Sequence, residues 1–416
     1  MLDFTRALAG PFCTRLLADA GAQVIKIEPP GTGDLSRGLP PVVDAFLSGP
    51  YAQQNSGKLS VCLDLTKPMA KRIILELAAA SDVVVENFRP GVMARLGIGP
   101  VQLQAVNPRL VFLSISGWGQ NSGWISRPGN DVVAQCVSGV ASLNGDADRA
   151  PVVPDMAYVD SHTGLLAYSL LCAALFRRTI TGRGEILDIS LLDCALQYHD
   201  SALQEELAGV SRGSRRSSAS HRALVPRGVF ACTDGHVAIS AFLDENWRRL
   251  AGAVGFPLSS DDERYATLAS RVARRSEVLD AVGGWCAERT AGIVESELTA
   301  QLVPAARVLS VGEAVNIAIS SGRPSLTLQS YPTLGKVVRQ VDTAGIFAGG
   351  AALRRGPSRL GADAPEVLGA ILGWTSATFR EALTEGALDG EPEVVAELWT
   401  WSAEEDLIAS PRGARR

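Results

Sequence analysis

The first 200 residues alternate short apolar runs with longer segments in which apolar residues recur at helical spacing. The apolar runs, rich in valine, isoleucine and leucine, are 22–28, 60–65, 81–87 and 110–116. Helical patterns lie between them, in 11–21, 68–80 and 91–97. The runs are apolar almost throughout, which is typical of strands buried on both faces. The alternation therefore predicts βαβ units in an α/β fold with a doubly wound parallel sheet.

The middle of the chain has a different composition. The stretch 206–227 holds five arginines among serine and glycine, which is typical of an exposed linker, although contact with a phosphate would fit too. The Asp234–Gly235 pair that follows predicts the turn of a two-stranded hairpin. Three amphipathic helical stretches come next, so we predict a smaller α+β domain over 228–318. Residues 330–341 are expected to form a returning strand pair.

Composition describes an ordinary soluble globular protein, with 46% hydrophobic and 20% charged residues. The net charge of -5 argues against a dedicated nucleic-acid or membrane-surface protein. The seven cysteines and four histidines are dispersed, without metal-ligand spacing, which fits a reducing cytoplasm and predicts no metal site. The longest apolar run, 165–176, is shorter than the roughly 20 residues that a membrane span needs, and we interpret it as a core helix.

Several common catalytic motifs are missing. Residues 31–38, GTGDLSRG, superficially resemble a dinucleotide-binding loop, but prolines on both sides break the required strand–loop–helix context. The sequence contains no Walker A motif and no G-x-S-x-G elbow. The sequence therefore lacks the motifs that are typical of hydride transfer, P-loop phosphoryl transfer and serine hydrolysis.

Polar and basic residues border two of the predicted strands. Lys58 stands just before one strand, while Asn87, Phe88 and Arg89 follow another, with Arg95 six residues further on. Ligands of open α/β sheets gather beyond the carboxyl ends of strands, where arginine suits phosphate and phenylalanine offers an apolar face. Ordinary surface charges and a core phenylalanine would give the same pattern. Spacing alone leaves both interpretations open.

Asp160 stands at the head of the long apolar run, in the stretch PDMAYVDSHTG. Aspartate is a common helix N-cap, and such a cap contributes ~1 kcal/mol. The positive end of the helix is also expected to lower the Asp160 pKa, which would provide an anionic nucleophile or base beside free backbone N–H groups. His162 is expected inside the first turn as a structural or rim residue. The local sequence leaves open whether Asp160 caps a helix or acts as a nucleophile or base.

Seven segments, taken in order, resemble the class III coenzyme A-transferase family, which includes formyl-CoA and carnitine CoA-transferases and α-methylacyl-CoA racemases. The segments are LDFTRALAGPFCTRLLADAGAQVIKIEPPGTGD, NSGKLSVCLDL, DVVVENFRPGVMARLGIG, NPRLVFLSISGWGQ, RPGNDVVAQ, VDSHTG and TGRGEILDISLLD. The resemblance is strong over 1–195 and continues more weakly to residue 368.

This resemblance implies a fold beyond what the pattern predicts. Family members have a large Rossmann-like domain made from both chain ends, a small domain between them, and two subunits interlocked like linked rings. We therefore expect a homodimer. The large domain would take 1–205 and 341–416, with linkers at 206–227 and 319–340 on either side of the small domain.

By similarity, Asp160 lies where the transferases carry their nucleophile. It would attack an acyl-CoA thioester, giving an aspartyl–acyl anhydride and free CoA thiolate, and the acceptor carboxylate would then exchange with the thiolate through an aspartyl–CoA thioester. Because an ordinary carboxylate, with a pKa of about 3.9, is a weak nucleophile, proximity and oxyanion donors would have to assist. The expected partners are an acyl-CoA and a small carboxylic acid, with CoA as substrate rather than tightly bound cofactor, and neither nucleic acid nor membrane.

The resemblance also assigns a CoA site. The positions that match it are Thr5, Arg6, Ala7, Leu8, Lys58, Asn87, Phe88, Arg89, Arg95, Arg127 and Asn130.

The sequence departs from the racemases and from formyl-CoA transferase. Asn130 stands where racemases have a histidine, and the glutamate of their second domain would fall near Leu243, with Asp244 and Glu245 close by; both losses favour transfer over proton shuttling. Leu8 replaces a glutamine of formyl-CoA transferase, and its glycine-rich flap is missing from 238–247. Formate and oxalate are therefore not the expected acids. A 2-methylacyl-CoA epimerase and a catalytically silent CoA-binding protein are the alternative hypotheses.

Overall fold

The computed structural model describes residues 1–44, 47–209, 216, 220–221, 223–255, 259, 261–321, 326–331, 336–341 and 355–403. The chain forms two compact units. The first unit comprises Met1–Ser138, Asp155–Tyr198 and Pro324–Arg416, and the second comprises Gly139–Pro154 and His199–Arg323.

The strands of the described residues are β1 Leu2–Asp3, β2 Ile25–Glu28, β3 Val42–Asp44, β4 Leu47–Ser48, β5 Leu59–Leu63, β6 Val83–Glu86, β7 Val111–Ser116, β8 Ile186–Ser190, β9 Arg227–Cys232, β10 Gly235–Ser240, β11 Ala305–Arg307, β12 Leu326–Tyr331, β13 Lys336–Val341 and β14 Leu388–Asp389.

The α-helices of the described residues are α1 Ala9–Asp19, α2 Gly49–Asn55, α3 Pro68–Ala79, α4 Val92–Arg95, α5 Pro100–Val106, α6 Asp131–Val137, α7 Tyr158–Thr181, α8 Leu191–Leu196, α9 Asp200–Leu207, α10 Asp244–Val254, α11 Leu268–Ala273, α12 Arg275–Ala287, α13 Ala291–Ala300, α14 Val311–Ser320, α15 Ala364–Leu372, α16 Ser376–Thr384 and α17 Pro392–Ala403.

Seven strands form the sheet of the first unit, in the order β14-β5-β2-β1-β6-β7-β8. Every pairing from β5 to β8 is parallel, which confirms the predicted parallel sheet for six strands. β14 pairs antiparallel with β5, so the complete sheet is mixed and mostly parallel. The four apolar runs predicted as strands are β2, β5, β6 and β7.

Helices cover both faces of this sheet. Val84 of β6 packs into one hydrophobic cluster with α3 and the C-terminal helices α15, α16 and α17, while its neighbours Val83 and Val85 pack into another with α1 and α7. Burial on both faces explains why β6 has valine at three successive positions rather than at alternate ones.

The second unit holds the three-stranded antiparallel sheet β11-β10-β9. The predicted β9–β10 hairpin is present, but its turn residues are Thr233 and Asp234, because Gly235 already pairs with Cys232 as the first residue of β10. Five helices, α10 to α14, occupy the stretch where three were expected, because Thr267 starts the short α11 with a capping box, α11 ends at Ala273 before α12 begins, and Ser310 starts α14 with a second capping box. The predicted returning strand pair is β12 with β13. Ten of the 22 residues of the expected 206–227 linker lie outside the described residues, and α9 extends into its start.

Among the described residues, α7 is the helix that is long and apolar enough to cross a membrane by length and composition. A core helix of a soluble protein passes the same test. The inner face of α7, with Val159, Ala167 and Leu171, is fully buried in the first unit.

Candidate active site

A cavity of about 330 Å³ lies beyond the carboxyl ends of β6 and β7 in the first unit. Its lining brings together five residues of the expected CoA site, which are Asn87, Phe88, Arg89, Arg95 and Arg127. Both arginines that follow β6 are exposed, so their guanidinium groups are free to meet a phosphate. The cavity occupies the position at which open α/β sheets bind ligands.

Two tryptophans that the sequence analysis did not single out hold Arg127 in the cavity wall. Its guanidinium carbon lies 4.6 Å from the ring centre of Trp124 and 5.3 Å from that of Trp118. The Trp118 indole also donates a hydrogen bond to the Arg127 carbonyl at 2.8 Å. The available signal was the GWGQ segment, which directly follows the end of β7.

The turn after β1 is fixed against the same wall. The backbone N–H of Arg6 donates to Asn87 Oδ1, and Asn87 Nδ2 donates to the Arg6 carbonyl, both at 2.8 Å. The Arg6 guanidinium carbon lies 5.0 Å from the centre of the Phe88 ring. Ala7 has φ +65° and donates its N–H to Asp34 Oδ1, and Leu8 stands at the start of α1. The expected turn from Thr5 to Leu8 therefore lies beside the cavity.

Two residues of the expected CoA site belong to the core instead. Lys58 is buried, with its Nζ 2.9 Å from Asp3 Oδ2 and within hydrogen-bonding distance of Thr14 Oγ1 and Asn55 Oδ1. Burial lowers the Lys58 pKa to about 8, against the opposing pull of Asp3. Thr5 is also buried and donates its hydroxyl to Asp3. The expectation that Lys58 presents an open cation to a phosphate is wrong, because its ammonium group neutralises a buried carboxylate.

The GTGDLSRG segment is likewise structural. Its Arg37 is buried, forms a 2.8 Å ion pair with Glu28 and stacks on Tyr51, with 3.8 Å between the guanidinium carbon and the ring centre. This agrees with the exclusion of a dinucleotide loop.

Asp160 lies in the first turn of α7, and the expectation that it caps the helix is wrong. The helix begins at Tyr158, and the N-cap position belongs to Ala157, which has no side chain to cap it. The backbone N–H of Asp160 is not free either, because it donates to Asp131 Oδ2 at 2.9 Å. The Asp160 carboxylate itself accepts no hydrogen bond from the described part of the chain.

The ionisation of Asp160 also differs from expectation. Burial, and secondly the negative charge of Asp131, raise the Asp160 pKa to about 7. Desolvation of the carboxylate therefore outweighs the helix dipole, which acts in the opposite direction. A carboxylate with this pKa is more basic than an ordinary one and is still substantially ionised at neutral pH.

Aromatic side chains surround the first turn of α7. The Tyr158 and Tyr198 ring centres lie 5.3 Å apart, and those of His162 and Tyr198 lie 4.7 Å apart. The Tyr198 hydroxyl donates to the Tyr158 carbonyl at 3.2 Å. His162 therefore packs on a tyrosine inside the first turn.

The cavity loop continues directly into the helix that contacts Asp160. Arg127 lines the cavity, Asn130 caps α6 by accepting the Val133 N–H at 3.1 Å, and Asp131 is the first residue of α6. Asn130 thus serves as a helix cap next to the cavity rather than in its lining. Asp131 was not singled out from the sequence, although a second polar residue directly after Asn130 was a signal for a contact with another element.

Comparison with known proteins identifies the family. Residues 1–366 match CoA-transferase family III. The chain is 29% identical to mouse succinyl-CoA:glutarate CoA-transferase over 389 residues, covering 94% of this chain and 89% of the relative. It is 30% identical to a Bradyrhizobium formyl-CoA:oxalate CoA-transferase over 423 residues, covering 95% and 98%.

Solved structures agree. Rv3272 from Mycobacterium tuberculosis, in an orthorhombic crystal form, superposes with a TM-score of 0.77 at 28% identity, covering 87% of this chain and 96% of that one. A CAIB/BAIF family protein from Brucella suis gives a TM-score of 0.77 at 27% identity, covering 89% and 97%. The chain therefore belongs to CoA-transferase family III and is an enzyme that transfers coenzyme A between an acyl-CoA and carboxylates.

Proposed function

We propose that Asp160 is the nucleophile of this transfer. The observation that supports it best is a half-buried carboxylate that no described group hydrogen-bonds, fixed through its backbone at the start of α7. In the proposed reaction, an Asp160 oxygen attacks the thioester carbon and expels CoA thiolate, leaving an aspartyl–acyl anhydride. The thiolate attacks the aspartyl carbonyl, which releases the acyl group as a carboxylate and forms an aspartyl–CoA thioester. An acceptor carboxylate then reverses both steps with a new acyl group.

The raised pKa supports this role. Nucleophilicity of an oxyanion grows with its basicity, so a carboxylate whose pKa is about 7 attacks a thioester more readily than one near 4. Burial is also what raises this pKa, and a dry site limits hydrolysis of an anhydride. The remaining rate acceleration would come from binding the thioester in contact with Asp160.

The cavity would hold the CoA portion. Arg89, Arg95 and Arg127 would bind its phosphates, and Phe88 with the two tryptophans would offer faces to its base or pantetheine arm. Arg6 and Asn87 would shape the wall. The acceptor carboxylic acid would enter beside Asp160.

Transfer is preferred over 2-methylacyl-CoA epimerisation. Asn130 accepts a helix N–H and has no titratable proton, so it cannot shuttle one as a histidine would. We further propose that the enzyme is an interlocked homodimer and acts in the cytoplasm, where its seven free cysteines would stay reduced.

Trapping of the acyl–enzyme tests the proposal. The purified enzyme is incubated with succinyl-CoA, a probe suggested by the mouse relative's name, and then with hydroxylamine. Hydroxylamine converts an activated aspartyl carbonyl to a hydroxamate, which peptide mass spectrometry locates. We expect the label on Asp160 and complete loss of label and of transfer in Asp160→Asn. A label elsewhere, or a variant that keeps more than a few per cent of the parent rate, would refute the assignment.

A further inference from the structure

The Asp131 side chain bridges its own helix, α6, and the backbone of Asp160 on α7. It is 6% exposed and begins α6, whose N-terminus is already capped by Asn130. Its Oδ1 accepts a hydrogen bond from Gln135 Nε2, and its Oδ2 accepts the backbone N–H of Asp160 at 2.9 Å. Asp131 therefore supplies α7 with the cap that Ala157 lacks, from 29 residues earlier in the chain.

We propose that Asp131 is a positioning residue of the transfer reaction, which fixes the first turn of α7 through the Asp160 backbone and so sets the direction of the Asp160 carboxylate. This inference rests on the proposed role of Asp160 as nucleophile.

The geometry supports a positioning role rather than simple packing. A hydrogen bond from an N–H to an ionised carboxylate is shorter and stronger than one between neutral groups. It acts on the very residue whose side chain must meet the thioester. Because Asp131 follows Gly129 of the cavity wall by two residues, the same contact ties the α7 start to the loop that would hold CoA. A shift of that loop would move Asp160 with it.

Asp131 also acts through its charge. The other ionisable side chains around the first turn of α7 are Tyr158 and His162 on α7, Cys136 on α6, Cys194 on α8 and Tyr198 after it. After burial, Asp131 is the group that raises the Asp160 pKa. Removal of the Asp131 charge should therefore lower that pKa, and this effect is separable from positioning.

Two variants separate the effects. In Asp131→Asn the amide oxygen can still accept the Asp160 N–H, and Gln135 can turn its Oε1, which has no partner in the described part of the chain, toward the new amide donor. This variant keeps the geometry and loses the charge. Asp131→Ala loses both. Asp64→Asn is the control, since Asp64 likewise accepts a backbone N–H, from Thr66 at 3.0 Å, but is exposed.

The measurement is kcat and KM for succinyl-CoA from pH 5 to 9, with thermal unfolding of each variant. For Asp131→Asn we expect kcat within about fivefold of the parent above pH 8 and a pH–rate midpoint lower by about one unit, as removal of one nearby like charge requires. For Asp131→Ala we expect kcat to fall by about 10²-fold with little change in KM, because misplacement of a reacting group by ~1 Å costs that much. Asp64→Asn should match the parent.

The outcomes distinguish this inference from the proposed function. If Asp131→Ala keeps the parent kcat while Asp160→Asn is inactive, the positioning role is wrong and the nucleophile assignment stands. If Asp160→Asn retains transfer, the proposed function fails first. If Asp131→Ala does not fold, the test rests on Asp131→Asn. An unchanged pH–rate midpoint together with an altered KM in Asp131→Asn would overturn the inference.

Discussion

At the scale of single residues, Arg89 and Arg95 are two of the three exposed arginines of the cavity lining, one following β6 and the other ending α4; the third is Arg127. A hydrogen bond to a charged group contributes about 1.5–3 kcal/mol, so replacement of either by alanine should weaken CoA binding roughly tenfold or more. The acceptor acid carries no nucleotide, and its KM should change much less. Because salt screens phosphate contacts, the variants should also show a shallower salt dependence than the parent.

Calorimetric titration of CoA across a salt series measures both effects. Arg72→Ala is the matched control, since Arg72 is an exposed arginine on α3 that pairs with Glu76 outside the cavity lining. Parallel salt slopes for parent and variants, or a loss that depends on acyl chain length, would remove these arginines from the phosphate site.

The raised pKa of Asp160 predicts that the ionised carboxylate, which the transfer reaction needs, lowers the stability of the folded protein. The folded state holds the Asp160 proton more tightly than the unfolded chain, whose pKa is about 3.8, so stability is lost as pH rises from about 4 through about 7. Asparagine cannot ionise, and each unit of pKa shift corresponds to about 1.4 kcal/mol, so Asp160→Asn should be more stable than the parent at pH 8, by a few kcal/mol at most. The gain should shrink toward pH 5.

Chemical unfolding of both proteins at pH 5 and pH 8 checks this. Asp64→Asn should show no such gain, because its hydrogen bonds to Thr66 hold the Asp64 pKa below its ordinary value. An equal stability difference at both pH values would show that the Asp160 carboxyl ionises like an exposed one.

At the scale of elements, the close contact between α1 and α7 fixes the position of the helix that carries Asp160 in its first turn. A Cβ added at Gly164 would lie 2.5 Å from the Ala9 carbonyl oxygen, so Gly164→Ala must push the two helices apart. We expect a loss of about 1–3 kcal/mol, as for other overpacked sites, together with a fall in kcat. Gly369→Ala in α15 is the control: an added Cβ there meets nothing within 4 Å, and alanine should stabilise that helix by up to about 1 kcal/mol. Equal stability of the two variants would contradict the role of this contact.

Local patterns predicted the elements better than the contacts between them. Apolar patterns identified β2, β5, β6 and β7, because β6 and β7 pack into hydrophobic clusters on both faces of the sheet and β2 and β5 place alternate apolar residues in one of them. The family resemblance placed Lys58 in the CoA site, and nothing near Lys58 in the sequence indicates that Asp3, 55 residues earlier, would pair with it in the core. Capping by Asp160 itself stayed open at the sequence level because the residue that accepts a first-turn N–H, Asp131, comes from another helix. Local sequence patterns do not predict contacts of charged side chains with residues far away in the sequence.

At the scale of the whole molecule, two helices expose apolar side chains that a soluble monomer would rarely leave uncovered. On α7, Phe176 is 68% exposed and Ile180 is 74% exposed, and on α14 none of the ten residues is buried, with Val311 at 82%. Together with the family resemblance, these faces support the proposed interlocked homodimer. Sedimentation equilibrium should then give the mass of two 43.8 kDa chains at every dilution, without a folded monomer.

Subunit exchange tests the interlocking itself. Linked rings cannot part while folded, so two differently tagged preparations mixed under native conditions should form no mixed dimer over days. Unfolding and refolding the mixture should produce mixed dimers in the statistical proportion of one half, since the chains then thread at random. A Phe176→Asp variant should lower the yield of refolded dimer, because it places a charge on an apolar surface that the partner would bury. Exchange without unfolding would mean that the subunits dock face to face, and a folded monomer on dilution would mean that the exposed faces of α7 and α14 do not join two chains.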